Sequence, residues 1–115
     1  MSPLSTSVYA ALSAIPKGQV ISYAELARRI GTPRAVRAIA TVVGKNPQPI
    51  VVPCHRVIKS NGELGNYTWR KMSNPIKKLA LLKNEGVVFD VISKTEKGKT
   101  VIVYRLNMAP KGAIL

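Results

Sequence analysis

Apolar residues at Val8, Ala11, Leu12 and Ile15 recur at i, i+3, i+4 and i+7, the stripe of an amphipathic helix that Pro16 and Gly18 bring to an end. Val20 to Tyr23 reads as a short extended link. Ser22 and Glu25 then form an S-x-x-E capping box that opens a second helix, with Leu26 and Ile30 on its buried side and Gly31 as its stop. Thr32 is placed to cap a third helix, with Pro33 at its first position, where a missing N–H costs nothing. Val36, Ile39, Ala40 and Val43 give this helix one apolar face, and Arg34, Arg37, Ala38, Thr41 and Lys45 give it a basic one. Two short helices joined by a glycine turn, the second basic outside, have the pattern of a helix-turn-helix; any antiparallel helix pair with a solvated charged face has it too.

Beyond the third helix the period changes. Asn46-Pro47-Gln48-Pro49 is a loop of restricted backbone, and Ile50-Val51-Val52 reads as a short buried strand. Val57 to Ser60 is followed by an Asn61-Gly62 turn, and Gly65-Asn66-Tyr67 is a second turn signal. Asn74-Pro75 opens a fourth helix, carried by Ile76, Leu79 and Leu82 and closed by Gly86. Two β-branched runs, Val87 to Ile92 and Thr100 to Tyr104, flank the polar turn Thr95 to Lys99 and predict a hairpin, a wing beside the helices. Residues 107–115 are expected to fray. The predicted fold is mainly α with short strands, winged helix-turn-helix-like, with a C-terminal β-hairpin.

Charge narrows the partner. Eighteen Lys and Arg stand against five Asp and Glu, a net charge of +13 on 115 residues. A solubilising surface needs far less, so the surplus points to a polyanion, nucleic acid ahead of membrane. No apolar run approaches the ~20 residues of a membrane span, and no secretory signal is visible, so the expected setting is cytoplasmic or nuclear. One cysteine excludes an internal disulfide, and one cysteine with one histidine is too few for a zinc site built on those residues.

That cysteine carries the sharpest local signal. In Pro53-Cys54-His55-Arg56 it follows the predicted strand, behind a rigid proline and ahead of the only histidine. A lone cysteine is ordinarily an inert small hydrophobe. A neighbouring Arg56 cation would favour the thiolate, and His55 would reach the sulfur only through a turn or a bridging water, since adjacent side chains point apart. A chemical role requires a sulfur that is exposed and ionisable.

The stretch Asn46-Pro47-x-Pro49-Ile50-Val51-Val52-Pro53-Cys54-His55-Arg56-Val57, with Gly65-Asn66-Tyr67 downstream, resembles the O6-alkylguanine-DNA alkyltransferases. Gly18 to Tyr23, Arg34 to Ala38 and Leu81-Leu82-x-x-Glu85-Gly86 are similar too, so ordered motifs cover roughly residues 5–86. The resemblance implies an alkyltransferase DNA-binding and catalytic domain over 1–90, with the helix-turn-helix at about 24–44, and a hairpin extension and tail over 91–115. It implies that Cys54 accepts the alkyl group, that His55 takes its proton through a water, and that Glu85 holds the imidazole. It further implies that Asn46 braces the turn, that Tyr23 rotates the nucleotide and protonates the departing guanine, and that Arg37 fills the vacated stack. Arg34, Ala38, Thr41, Lys45 and Arg56 would be DNA contacts, and the backbone of Cys54 and Val57, with Tyr67, Thr68 and Trp69, would line the pocket. The implied partner is duplex DNA, entered from the minor groove with one nucleotide flipped, by a monomer that uses no metal or organic cofactor.

The match has departures. Thr68-Trp69 stands where a small Ser-Gly pair is common, so Trp69 either narrows the pocket or packs against the surface. The segment around Arg70 to Asn74 is longer than usual, which bears on where Glu85 falls. Relatives often carry an N-terminal α/β domain with no counterpart in these residues. Compact alkyltransferase-like lesion sensors lack it too, but typically replace the cysteine, which this chain keeps.

Overall fold

The computed structural model describes residues 2–107. Among them are four α-helices, α1 (Pro3–Ser13), α2 (Tyr23–Arg29), α3 (Val36–Gly44) and α4 (Pro75–Asn84), and one 3₁₀ turn, Cys54–Arg56. The strands are β1 (Ile21–Ser22), β2 (Val57–Ile58), β3 (Thr68–Trp69), β4 (Met72–Ser73), β5 (Phe89–Glu96) and β6 (Lys99–Leu106). The chain is thus mainly helical with short strands and a C-terminal hairpin, as its pattern predicts.

Local chemistry sets the helix ends. The Ser22 side chain accepts from the Glu25 amide at 3.0 Å and the Asn74 side chain from the Lys77 amide at 3.1 Å, each satisfying an amide that the helix leaves open. The capping box is half made, because the Glu25 carboxylate turns to Arg28 and Arg29 instead. The third helix begins later than its cap signal: Thr32 to Ala35 form a turn closed by Ala35 N–H to the Thr32 carbonyl, and α3 starts at Val36. Arg34 therefore precedes the helix and Lys45 caps its end.

The parallel pair β1–β2 matches Ile21 with Val57 and Ser22 with Ile58. Successive strand residues point to opposite sides, and here they divide the interior. Ile21 and Val57 face a cluster with Val8, Leu12, Leu26 and Ile39, which holds α1, α2 and α3 together. Val20 and Ile58 face a second cluster with Leu64, Leu82, Val87 and Leu106. The hairpin is seated on that second cluster through Phe89, Tyr104 and Leu106. Buried Glu63 fastens it further, with the Lys94 ammonium at 2.6 Å and the Arg105 guanidinium at 3.5 Å. Asn107, expected among the frayed residues, donates its amide to the Val88 carbonyl; the rest of that expectation lies outside the described residues.

Two sequence expectations change. Ile50-Val51-Val52 is not a buried strand: Ile50 and Val51 are 43% and 78% exposed, in a turn with Ile50 at φ 76°. Pro49 and Pro53 bracket this segment and have no amide hydrogen to donate to a ladder, and what pairing there is amounts to one isolated bridge between Pro49 and Val52. The lengthened segment after Tyr67 is a small hairpin: β3 pairs with β4 across Arg70 and Lys71, which take φ 52° and 66°. Two positive-φ residues at a two-residue turn is the arrangement that Asn-Gly satisfies best. Each non-glycine residue there costs about 1 kcal/mol. The double variant Arg70→Asn/Lys71→Gly is therefore expected to raise the thermal unfolding midpoint by several degrees, on the order of 5 °C, measurable by calorimetry.

Candidate active site

The 3₁₀ turn places three consecutive side chains in three directions. Cys54 fronts a cavity of about 210 Å³ whose other walls are Tyr23, Ala40, Val43, Gly44, Asn66, Tyr67 and Thr68. The exposed sulfur that the sequence reading requires is not found: Cys54 is buried, only 4% exposed, and among the described residues the one cavity it lines is this one. Its turn is braced by Asn46, whose amide nitrogen donates to the Val52 carbonyl at 2.7 Å while its side-chain oxygen accepts from the Gln48 amide.

His55 is fully buried. Its Nε2 lies 2.9 Å from a Glu85 carboxylate oxygen, and its Nδ1 has no hydrogen-bond partner in the protein. Burial lowers the imidazole pKa, and the opposing pull of Glu85 does not reverse it. The ring is therefore neutral near pH 7, its proton is on Nε2 facing the carboxylate, and the Nδ1 lone pair is free to accept.

Arg56 was expected beside the sulfur and on the DNA. It turns inward instead. Its Nε and Nη2 donate to the two Glu85 oxygens at 2.9 and 2.8 Å, and Nη1 donates to the Ile15 carbonyl at 2.8 Å. One guanidinium thus ties the end of α1 to the end of α4 and carries Glu85 with it. Burial alone would raise the Glu85 carboxyl, but Arg56 and His55 more than offset this and hold it at about 2. The lengthened segment after Tyr67 has not displaced Glu85, because β3–β4 absorbs the extra residues before α4 begins.

Tyr23 opens α2 and Tyr67 closes the loop before β3; both face the sulfur. Burial, with the Cys54 charge adding to it, pushes the Tyr23 hydroxyl up to about 12, and the same causes raise Tyr67. Both phenols are protonated at neutral pH and are donors there. The Val57 side chain packs into the core, and Trp69 lies outside the cavity, against a neighbouring groove. Its ring stacks near Tyr67 at 6.5 Å and carries the Lys77 ammonium at 4.6 Å.

Sequence reasoning missed Lys78. It sits at a core position of α4, four residues before Leu82, and is wholly buried. Its ammonium donates to the carbonyls of Leu64 at 2.6 Å and Asn66 at 3.2 Å, which fixes the loop entering Tyr67. Burial brings its pKa down to about 7, opposed by the Cys54 charge. The signal was a charge inside an apolar helical stripe. Ala40, Val43 and Gly44 were also missed as cavity wall. Ala40 and Val43 lie on the inner side of α3 and Gly44 is exposed at its end, as are Arg37, Ala38 and Thr41 on the same helix, with Arg34 before it and Lys45 after it.

A profile described as 6-O-methylguanine DNA methyltransferase, DNA binding domain, matches residues 3–87. The methylated-DNA–protein-cysteine methyltransferase of Salmonella typhimurium is 46% identical over 84 residues, 73% of this chain and 47% of that protein. The O6-methylguanine methyltransferase of Mycobacterium tuberculosis superposes with a TM-score of 0.65 at 41% identity, over 74% of this chain and 49% of that one. Atl1 of S. pombe, solved with damaged DNA containing O6-carboxymethylguanine, superposes with a TM-score of 0.72 at 29% identity, over 94% of this chain and 92% of that one. The chain spans about half the length of the curated methyltransferases it matches.

Proposed function

Because the chain belongs to the family of 6-O-methylguanine DNA methyltransferase DNA-binding domains, we propose that it repairs alkylated DNA, moving an alkyl group from guanine O6 to Cys54 in a single turnover. The observation that carries this reading is the sulfur at the wall of a small cavity, one residue from an imidazole with a free Nδ1 and a carboxylate-held Nε2.

Guanine O6 is paired inside a duplex, so the nucleotide must leave the stack, at a cost of a few kcal/mol that a damaged pair reduces. The exposed basic side of α3 meets the minor groove, its small Ala38 and Thr41 allowing close approach, and Arg37 fills the gap. His55 Nδ1 accepts the thiol proton through a bridging water, and Glu85 stabilises the imidazolium that forms. The thiolate attacks the alkyl carbon, the S–C bond forms as the C–O6 bond breaks, and the electron pair stays with guanine, which takes a proton from Tyr23. The product thioether has no acyl carbon for water to attack, so the chain is spent after one event, and the chemistry calls for no metal or organic cofactor. The chain acts as a monomer on duplex DNA, in the nucleoid or nucleus. The Cys54 domain spans 1–90, followed by a hairpin extension and tail over 91–115.

The experiment is intact-mass spectrometry after incubation with a duplex holding one O6-methylguanine. The expected result is a gain of one CH2 on the wild type, located at Cys54, and none on Cys54→Ala. An unmodified chain that nonetheless binds the damaged duplex tightly would replace this reading with a second one, a lesion sensor without transfer. That alternative is favoured by one observation, the near end-to-end match to the S. pombe chain.

A further inference from the structure

One hydroxyl at the Cys54 cavity has no part in the transfer chemistry above. Tyr67 lines the same cavity as the sulfur, and both residues are only 4% exposed. Its hydroxyl is buried and takes part in no formed hydrogen bond among the described residues. A buried hydroxyl without a partner is costly, so its place here calls for an account. The polar group it faces at close range is the Cys54 sulfur. The ring is held in that position from three sides. It stacks near Trp69 at 6.5 Å and 17°, the Tyr67 carbonyl accepts from the Asn74 amide at 2.6 Å, and the buried Lys78 ammonium holds the carbonyl of Asn66 just before it.

A thiolate formed in that cavity needs a donor, and the neighbouring groups are otherwise engaged. The titratable groups that feel the Cys54 charge are Tyr9, Tyr23, Tyr67 and Lys78. The Tyr9 hydroxyl donates to the Val42 carbonyl at 3.1 Å, the Lys78 ammonium donates to the Leu64 and Asn66 carbonyls, and Tyr23 is assigned to the departing guanine. Arg56 is turned to Glu85 and Ile15, and the His55 ring is tied to Glu85 through Nε2.

We propose that Tyr67 is a catalytic residue of the transfer, whose hydroxyl donates a hydrogen bond to the Cys54 sulfur as that sulfur ionises. A hydrogen bond to the charged form favours that form, and the thiolate is the nucleophile. Burial first and the Cys54 charge second raise the Tyr67 pKa, which keeps the phenol a donor at neutral pH. Its proton is transferred to nothing. The thiol proton goes to His55, the S–C bond forms as the C–O6 bond breaks, and guanine takes its proton from Tyr23. As the sulfur becomes a thioether its charge leaves, and the hydrogen bond weakens with it. The proposal rests on the alkyl-transfer reading above.

The test is Tyr67→Phe, which removes the oxygen, keeps the ring in its stack and so preserves the fold. Cys54 is the only cysteine of the chain, so its alkylation by iodoacetamide can be followed across pH by intact mass, without DNA. The variant's pH–rate profile should move about one unit to higher pH, about tenfold slower on the rising limb and equal to the wild type where both thiols are ionised. Transfer from a duplex bearing O6-methylguanine should slow by a similar factor while affinity for that duplex stays level. Superimposable iodoacetamide profiles would overturn the proposal. So would a slowing that is the same at every pH, which would make the hydroxyl a matter of access to the cavity. If the wild type takes no methyl group from the damaged duplex, the transfer reading fails, and the iodoacetamide profile still decides whether Tyr67 acts on the sulfur.

Discussion

Glu85→Ala is expected to destabilise the chain by about 3 kcal/mol and to abolish measurable alkyl transfer. The carboxylate takes two hydrogen bonds from Arg56 and one from His55 in a place where only about a tenth of each ion-pair partner meets water. Removing one member of a buried pair leaves the other charge unpaired, which costs about 3–5 kcal/mol; the residual exposure places this case at the lower end. The thermal midpoint should drop by about 10 °C in calorimetry. Acid titration gives a second readout. The carboxyl is held at about 2 when folded, against 4.5 ordinarily, so its contribution is complete above pH 4.5 and is lost as the pH falls towards 2. The variant should lack that segment of the stability curve. Retention of both the midpoint and the acid profile would show that Arg56 finds adequate hydration and that Glu85 is dispensable to the fold.

His55→Gln is expected to slow transfer about 10²–10⁴-fold, the range for losing a positioned base, while duplex affinity changes little. The variant rate should recover as the pH is raised, because hydroxide then removes the thiol proton. The wild-type rate should instead be level at neutral pH and fall in acid, where the imidazole protonates. Because burial lowers the His55 pKa below its ordinary 6.5, the folded chain resists this proton, so stability too is complete above 6.5 and is lost as the pH drops below it. Quenched-flow sampling with mass readout, run across pH on both proteins, measures the rates. A variant as fast as the wild type at pH 7 would remove His55 from the mechanism.

Much of the architecture is legible in the sequence because short-range chemistry decides it. Ser22 and Asn74 cap helices with their own side chains, the glycines at 31 and 86 take the positive φ that ends a helix, and the β-branched runs form the final hairpin. The misreadings share a cause, which is that direction in space is not written along the chain. Arg56 is two residues from Cys54, but successive residues of a 3₁₀ turn diverge by about 120°, and its guanidinium ends up at Ile15 and Glu85. Lys78 hides because an isolated charge in an amphipathic helix is ordinarily solvated, and only the carbonyls of Leu64 and Asn66 make its burial tolerable. Ile50 and Val51 carry strand-forming side chains, but they sit in the turn between bridged Pro49 and Val52, and Pro49 and Pro53 have no amide hydrogen with which to extend the pairing.

Helix α3 is nine residues long, about 13 Å from end to end, and its two sides do different things: Arg37 and Thr41 face outward, while Ala40, Val43 and Gly44 line the chamber in front of the sulfur. A domain sliding along undamaged duplex with this helix in the groove would therefore carry the chamber mouth past every base pair at a constant offset. The pace of the search would be set by how readily the DNA opens, and a weakened pair would declare itself simply by opening sooner than its neighbours.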